Sequence, residues 1–411
     1  MPVTGWHAAL RLESRLSFPA FANAASIEPG LLLPRDADWS ELKMATAKEY
    51  GLGEFVFPRG WFMVAAADRI TQTPHNVRFF GRDMVLYRGE SGKVYMVGAY
   101  CPHMRTHIGK STTSFIAQKG EQIQGESIVC PYHAWRFGPD GKCEKIPYSD
   151  KIPPAAELGA YEVVERYGAI YYWHDPEGGA PDYDIPAIPE WADEGYVRWE
   201  FDELGSMNLH PIEVVDNICD IQHLYPTHAS HQDYFENVIR GHMVWQLMGG
   251  KHELLGSDAG MSEFNTYYTG PGILHSRYVA DNANDSIMYI AHTPIDDGSV
   301  YVWHAVLSKV ADRKPTAEDI AHAKVQQQMS CDAFAADFEI WSNKLPCFRP
   351  MQMPADGNFL KVRTWYKQFY NPRSAAAEIL ARCEGRYGIP GVANAADGGA
   401  RKEIMEAIPA E

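Results

Sequence analysis

The sequence predicts an α+β protein: a small all-β domain followed by a larger domain of helices and an antiparallel sheet. Three observations carry this. Between about 55 and 175 the chain breaks into short alternating segments punctuated by Gly, Pro and Asp, the signature of strands and turns. Residues 175–191, "DPEGGAPDYDIPAIPEW", are rich in those same residues and read as a linker. Beyond them helical and strand-like stretches are interspersed. At 411 residues the chain is comfortable for two domains. The expected division is an N-terminal extension over 1–50, a β domain over 51–175 and an α+β domain over 176–411.

Residues 1–50 hold no chemical motif. "FVFPRGWFMVAAADRI" (55–70) reads as a turn entering a strand. "MVLYRG", "KVYMVGAYC" and "YEVVERYGAIYYWHD" continue the pattern, and "GPDGK" (138–142) is a hairpin signal. After the linker come a helix over about 211–224, strands at "SIMYIAHTP" and "SVYVWHAVL", a long helix over about 315–345 and a further helix over about 373–387. The tail 391–411 reads as mobile. There are no internal repeats.

The net charge of −16 argues against non-specific binding to nucleic acid or an anionic membrane, both of which need basic surface. It permits docking to a basic partner. No run approaches the ~18 apolar residues of a membrane span. Met1–Gly30 lacks a basic start leading into an apolar stretch, so a cytoplasmic protein is expected. Aromatics at 12% favour a large core or an apolar pocket. The seven cysteines, without a secretory signal, do not read as a disulfide framework.

Two cysteines stand beside histidines. Cys101-x-His103 is followed after 26 residues by Cys130-x-x-His133. Two thiolates and two imidazoles suit zinc or iron–sulfur chemistry. Zinc sites usually pair Cys with Cys and His with His; here each loop offers one of each. That pattern fits a [2Fe–2S] cluster with two thiolates on one iron and two imidazoles on the other. These residues resemble a Rieske domain. Respiratory Rieske proteins carry an extra cysteine in each loop, and the matching positions here are Thr106 and Tyr132. The resemblance is therefore to the disulfide-free type of oxygenases and their ferredoxins, which Trp135 also suits. Two features depart from the pattern: a long gap, with 111–120 read as an inserted loop, and Arg105 where glycine is common.

"IEVVDNICDIQHLYPTHAS" (212–230) suggests a second site. On a helix Asn217, Asp220 and Leu224 share a row, with Glu213 above and His223 beside them. Such a polar face is ordinarily just solvated. His223 and His228 would point about 140° apart on a straight helix, but Pro226 should break it and let both rings converge. Two His and a distant carboxylate would make the facial triad of non-haem Fe(II) oxygenases. The carboxylate is sought in "MSCDAFAADFEIWSNKL" (329–345). Phe334, Phe338, Trp341 and Leu345 line one face; Asp337 falls about 60° from its centre, Asp332 and Glu339 roughly 140–160° away. A carboxylate on an apolar face is costly unless paired or metal-bound, which selects Asp337.

Asp-x-x-His-x-x-x-x-His resembles the mononuclear-iron motif of Rieske oxygenases. "CPYHAWRFGPDGKCEKIPYSDKIP", "YYWHDPEG", "DFEIWSNK" and "RTWYKQFYNP" are similar to the group of 3-ketosteroid 9-alpha-hydroxylase oxygenase components and cholesterol 7-desaturases. The resemblance covers most of 55–372. It implies an N-terminal all-β Rieske domain, a C-terminal helix-grip-like catalytic domain, one Rieske cluster and one mononuclear Fe(II). It also implies a homotrimer and a separate flavin or iron–sulfur reductase, with or without a ferredoxin. Asp220 matches the family's bridging carboxylate between a Rieske histidine of one subunit and His223 of the next; Asn217 accompanies it. The reaction so implied is O2-dependent hydroxylation of a C–H bond of a hydrophobic, steroid-like substrate; the alternative is desaturation of a sterol, or demethylation or hydroxylation of an aromatic or N-methyl substrate. Pocket lining is expected from 236–250, 264–279 and 286–294. A substrate that is instead an aromatic acid would want a basic residue there, Arg277 for instance. A non-enzymic electron carrier or zinc module is the remaining alternative, against which the second metal motif speaks.

Overall fold

The computed structural model describes residues 44–253, 260–280, 285–310, 313–406 and 408. Strands β1 (Gly60–Ala66), β2 (His75–Phe79), β3 (Arg82–Arg88) and β4 (Val94–Gly98) precede a one-turn helix, α1 (Phe115–Gln118). Then follow β5 (Ile123–Gln124), β6 (Ser127–Val129), β7 (Arg136–Phe137), β8 (Cys143–Lys145), β9 (Ala160–Tyr161), β10 (Val163–Arg166) and β11 (Ala169–His174). They form three small antiparallel sheets, ordered β1-β11-β10, β2-β3-β4-β9 and β5-β6-β7-β8. The 138–142 hairpin joins β7 to β8: Gly138 N–H donates to Lys142 O at 2.9 Å, and Gly141 takes φ +78°, which favours glycine. The 111–120 insertion carries α1, capped by Ser114, with Phe115 left exposed.

The second part contains β12 (Tyr196–Val197), β13 (Asp202–Met207), α2 (Pro211–Val215), a 3-10 turn over Asp216–Cys219 and α3 (Leu224–His228). Strands β14 (Tyr234–Arg240), β15 (Met243–Gly250), β16 (Ser262–Thr269), β17 (Ile273–Ala280), β18 (Ser286–Pro294) and β19 (Val300–Lys309) follow. Helices α4 (Ala317–Ser342), α5 (Phe359–Lys367) and α6 (Ala376–Leu380), strand β20 (Gly385–Gly388) and α7 (Lys402–Glu406) complete it. The strands make one nine-stranded sheet, β12-β19-β18-β17-β16-β15-β14-β20, with β13 also on β19. The fold class is α+β, as the sequence predicts.

Successive side chains of a strand point to opposite faces, so this sheet has two buried surfaces. Ile287, Tyr289, Ala291, Trp303 and Leu307 meet Trp61, Phe62 and Ile170 of the first part. Ile290, Val300, Val302 and Leu274 meet Ile212, Ile218, Phe338 and Trp365 on the helices. This explains why β1, "GWFMVAA", is buried at every position: it lies between two sheets. Helix α4 starts on a capping box, Thr316 accepting from the Asp319 N–H and Asp319 from the Thr316 N–H. Pro346 helps stop it at Ser342.

Four expectations are corrected. The helix expected over 211–224 is α2 and a 3-10 turn, ending at Asp220, whose ψ of 96° leaves the helical region. Leu345 lies beyond α4 and is exposed. The helix expected over 373–387 stops at Leu380, because 385–388 adds β20 to the edge of β14, a tertiary pairing that local propensity does not encode. The tail is not loose through 406: Ala395 and Ile404 are fully buried, and Asn265 Nδ2 donates to Ile404 O at 2.7 Å. Its last residues fall mostly outside the described set.

Candidate metal centres

The two Cys–His loops fold alike. Cys101 N–H donates to Thr106 O at 2.9 Å and Arg105 N–H to Cys101 O at 2.9 Å; Cys130 N–H donates to Trp135 O at 2.8 Å and Ala134 N–H to Cys130 O at 3.0 Å. In each loop the fourth residue after the cysteine is left-handed, Arg105 at φ +59° and Ala134 at +57°. That conformation is why glycine suits the Arg105 position. Cys101 and Cys130 are buried, whereas His103 is exposed and His133 half-buried. The His103 and His133 rings stand 4.6 Å apart, and His103 stacks on Trp135, whose Nε1–H donates to Tyr148 Oη at 2.8 Å. A hydrogen bond between the sulfurs raises the Cys101 thiol and lowers Cys130 to about 6. Paired sulfurs inside and paired imidazoles outside fit a [2Fe–2S] cluster of mixed ligation. Tyr132 is exposed, and all cysteines are free.

The second set converges from α3 and α4. His228 Nε2 is 3.3 Å from Asp337 Oδ2, His223 Nε2 is 4.0 Å from Asp337 Oδ1, and the two rings are 5.3 Å apart at 83°. The break that allows this falls at Asp220, not at Pro226 as expected. Pro226 sits in the first turn of α3, where its missing N–H costs nothing. Asp337 is 6% exposed, while Asp332 and Glu339 face solvent. Two imidazoles and a buried carboxylate fit a divalent iron with open positions.

Around it, Asp220 Oδ2 stands 3.6 Å from His223 Nδ1, and Asp220 Oδ1 accepts from the N–H groups of Gln222 and His223. Burial works against a charged His223, but Asp220 and Asp337 outweigh it and raise its pKa. Burial raises Asp220, yet its bonds to His223 and the backbone leave it lowered. Asn217 Nδ2 is 3.3 Å from His223 Nε2. Glu213 does not join this polar row. It is buried among Tyr50, Lys344 and the Cys347 N–H.

Asn237 and Gln246 were not singled out by the sequence. They face each other across β14 and β15, and both donate to Ile218 O, at 2.8 and 3.0 Å, pinning the turn before Asp220. Two buried amides in apolar strands were the available signal. Arg277, the example of a base for an acid substrate, does line a cavity, but a small one. It shares the His275 face of β17, away from the helices, and pairs with Glu190 beside a cavity of about 50 Å³.

Residues 60–161 match the Rieske [2Fe-2S] domain family and residues 172–370 the 3-ketosteroid 9alpha-hydroxylase C-terminal domain family. The chain is 32% identical over 334 residues to a probable 3-ketosteroid-9-alpha-monooxygenase oxygenase component of Rhodococcus rhodochrous, covering 76% of this chain and 80% of the relative. It is 29% identical over 342 residues to cholesterol 7-desaturase nvd of Bombyx mori, covering 77% and 70%. Among solved structures, apo dicamba monooxygenase shares the fold at TM-score 0.59 and 17% identity, covering 78% of this chain and 99% of that one. Among the described residues no helix is long and apolar enough to cross a membrane. The chain therefore belongs to the 3-ketosteroid-9-alpha-monooxygenase family of Rieske oxygenase components, enzymes that hold a [2Fe–2S] cluster and a mononuclear iron and take electrons from a separate reductase.

Proposed function

We propose that this chain is the terminal oxygenase that hydroxylates a C–H bond of a steroid. The net reaction joins the substrate, O2, two electrons and two protons to give the alcohol and water. The observation that carries the reading is the His223–His228–Asp337 triad beneath a largely apolar sheet face. The substrate class rests on the relatives' names together with the match over 172–370, which spans that face and α4.

In this reading Cys101, His103, Cys130 and His133 hold the cluster, and His223, His228 and Asp337 hold the iron. When bound, the cluster supplies single electrons and the iron activates O2. Asp220 orients His223 through Nδ1 and, half-exposed at the surface, faces a cluster histidine of the neighbouring subunit of a homotrimer. His103, exposed at the loop tip, is the matching group. Asn217 Nδ2 stands 3.3 Å from the same Nε2 that would hold the iron, so with metal bound Asn217 lines the open side of the centre instead of bonding the ring. Electrons arrive in the cytoplasm from a flavin or iron–sulfur reductase, directly or through a ferredoxin.

The test is a single turnover of the reduced, iron-replete protein with O2 and a panel of small steroids, products read by mass spectrometry. A gain of one oxygen supports hydroxylation; a loss of two hydrogens replaces it with desaturation. No product from any steroid, with both metals in place, overturns the substrate class. Metal analysis checks the enzyme itself: three irons per chain are expected, against two for an electron carrier.

A further inference from the structure

A second donor cluster lies along α4 from Asp337. Asp202 on β13, His304 on β19 and Cys331 on α4 each offer one ligating atom, all within 4.8 Å of one another. Among the described residues the iron triad is the other His/Cys/Asp/Glu group that meets this condition. His304 is fully buried. Its Nδ1 is 2.9 Å from Asp202 Oδ2 and its Nε2 is 3.0 Å from Ser330 Oγ. Gln327 Nε2 donates to the same Asp202 oxygen at 2.9 Å. Asp202 and Gln327 also line a cavity of about 720 Å³ between β12, β13, β19 and the first half of α4. That cavity gives an ion and a water molecule a route to the carboxylate.

We propose that Asp202, His304 and Cys331 bind a divalent cation of borderline softness, Zn²⁺ being the type. One sulfur, one imidazole nitrogen and one carboxylate oxygen suit it better than a hard ion. The 2.9 Å between Asp202 and His304 is close to the roughly 3.3 Å edge that ~2.0–2.1 Å bonds give a tetrahedron. A water from the cavity completes the fourth position. The ion replaces the proton shared by Asp202 and His304 Nδ1; that proton passes to Nε2, which then donates to Ser330 Oγ. Cys331 binds as the thiolate and releases one proton to solvent. Cys331 is six residues from Asp337, about 9 Å along the helix, so the two metals are separate. The ion ties α4, which carries Asp337, to two strands.

The experiment uses the holoenzyme with cluster and mononuclear iron in place. It is dialysed against micromolar ZnCl2, desalted and counted by plasma mass spectrometry. Wild type is expected to retain one zinc per chain, and Cys331→Ser and His304→Gln to retain at least tenfold less with iron unchanged. If either variant loses iron or cluster absorbance, alkylation of wild type decides: zinc should slow iodoacetamide labelling of Cys331, mapped by peptide. Equal zinc in wild type and both folded variants, or labelling of Cys331 indifferent to zinc, overturns the site.

Discussion

Asp337 is a carboxylate on the buried side of α4 with two imidazoles as its neighbours. Asp332 and Glu339, on the same helix, reach solvent and can satisfy their charge there. Burial without a cation is costly, so in the proposed function Asp337 is the ligand whose loss should matter most. Asp337→Ala should lose mononuclear iron and all oxygenation while keeping the Rieske spectrum; a fully active, iron-replete variant would send the ligand back to Asp332 or Glu339. In the proposed function Asp220 acts through His223, 3.6 Å away, rather than on the substrate. Asp220→Asn should keep both metals but slow electron transfer between them, by the 10–100-fold typical of lost outer partners of metal-bound histidines. Normal single-turnover rates in that variant would remove Asp220 from the bridge.

The segment 211–230 shows what an element adds to its residues. Read as one helix, it sends His223 and His228 apart; read as α2, a 3-10 turn and α3, it brings them together. The turn is held from two sides. Asn237 and Gln246 grip Ile218 O from the sheet. Gly357 presses from the loop after α4, so close that a Cβ there would overlap Cys219 O, at 1.4 Å. Gly357→Ala must therefore displace the turn or the loop. The expected outcome is about 1–3 kcal/mol of lost stability, as for overpacking, together with weakened iron retention and an intact cluster. Unchanged iron occupancy and thermal midpoint would show that the loop yields without moving Asp220. The same contact explains why Gly357 carried no signal in the sequence: its partner is 138 residues away, in a different element.

At the scale of the molecule, packing desolvates histidines: His275 and His292 inside the large sheet, His174 on β11 and His210 at the start of α2. His174, His210, His275 and His292 are all pushed down by burial, to about 4, 3, 3 and 3. Each is neutral in the folded chain, and His210 uses that form to accept the Ile212 N–H at the start of α2. Unfolded histidine binds its proton near pH 6.5. Below that value the unfolded state gains protons that the folded state refuses, so stability is full above pH 6.5 and is lost as pH falls towards 3–4. Each group costs up to about 1.4 kcal/mol per pH unit in that window. The thermal midpoint of the holoenzyme should drop steeply from pH 7 to pH 5, and His292→Gln should make the drop shallower. A flat profile over that range would mean that these four histidines take up protons in the folded state.

Local chemistry determined a good deal by itself. The Cys101/His103 and Cys130/His133 pairs, the punctuated strands around them, the long helix expected over about 315–345 and found over 317–342, and the wheel position of Asp337 all depend on neighbours a few residues away, and that is the range over which spacing and periodicity are informative. Only the tertiary structure decided the rest. It put the chain break at Asp220, because the partners that hold the turn come from β14, β15 and the loop near 357. It gave Arg277 to Glu190 and took 385–388 from helix to strand, because strand pairing and the two faces of a sheet are fixed by register with distant segments. It also brought Asp202, His304 and Cys331 together from three elements whose sequence positions share no motif.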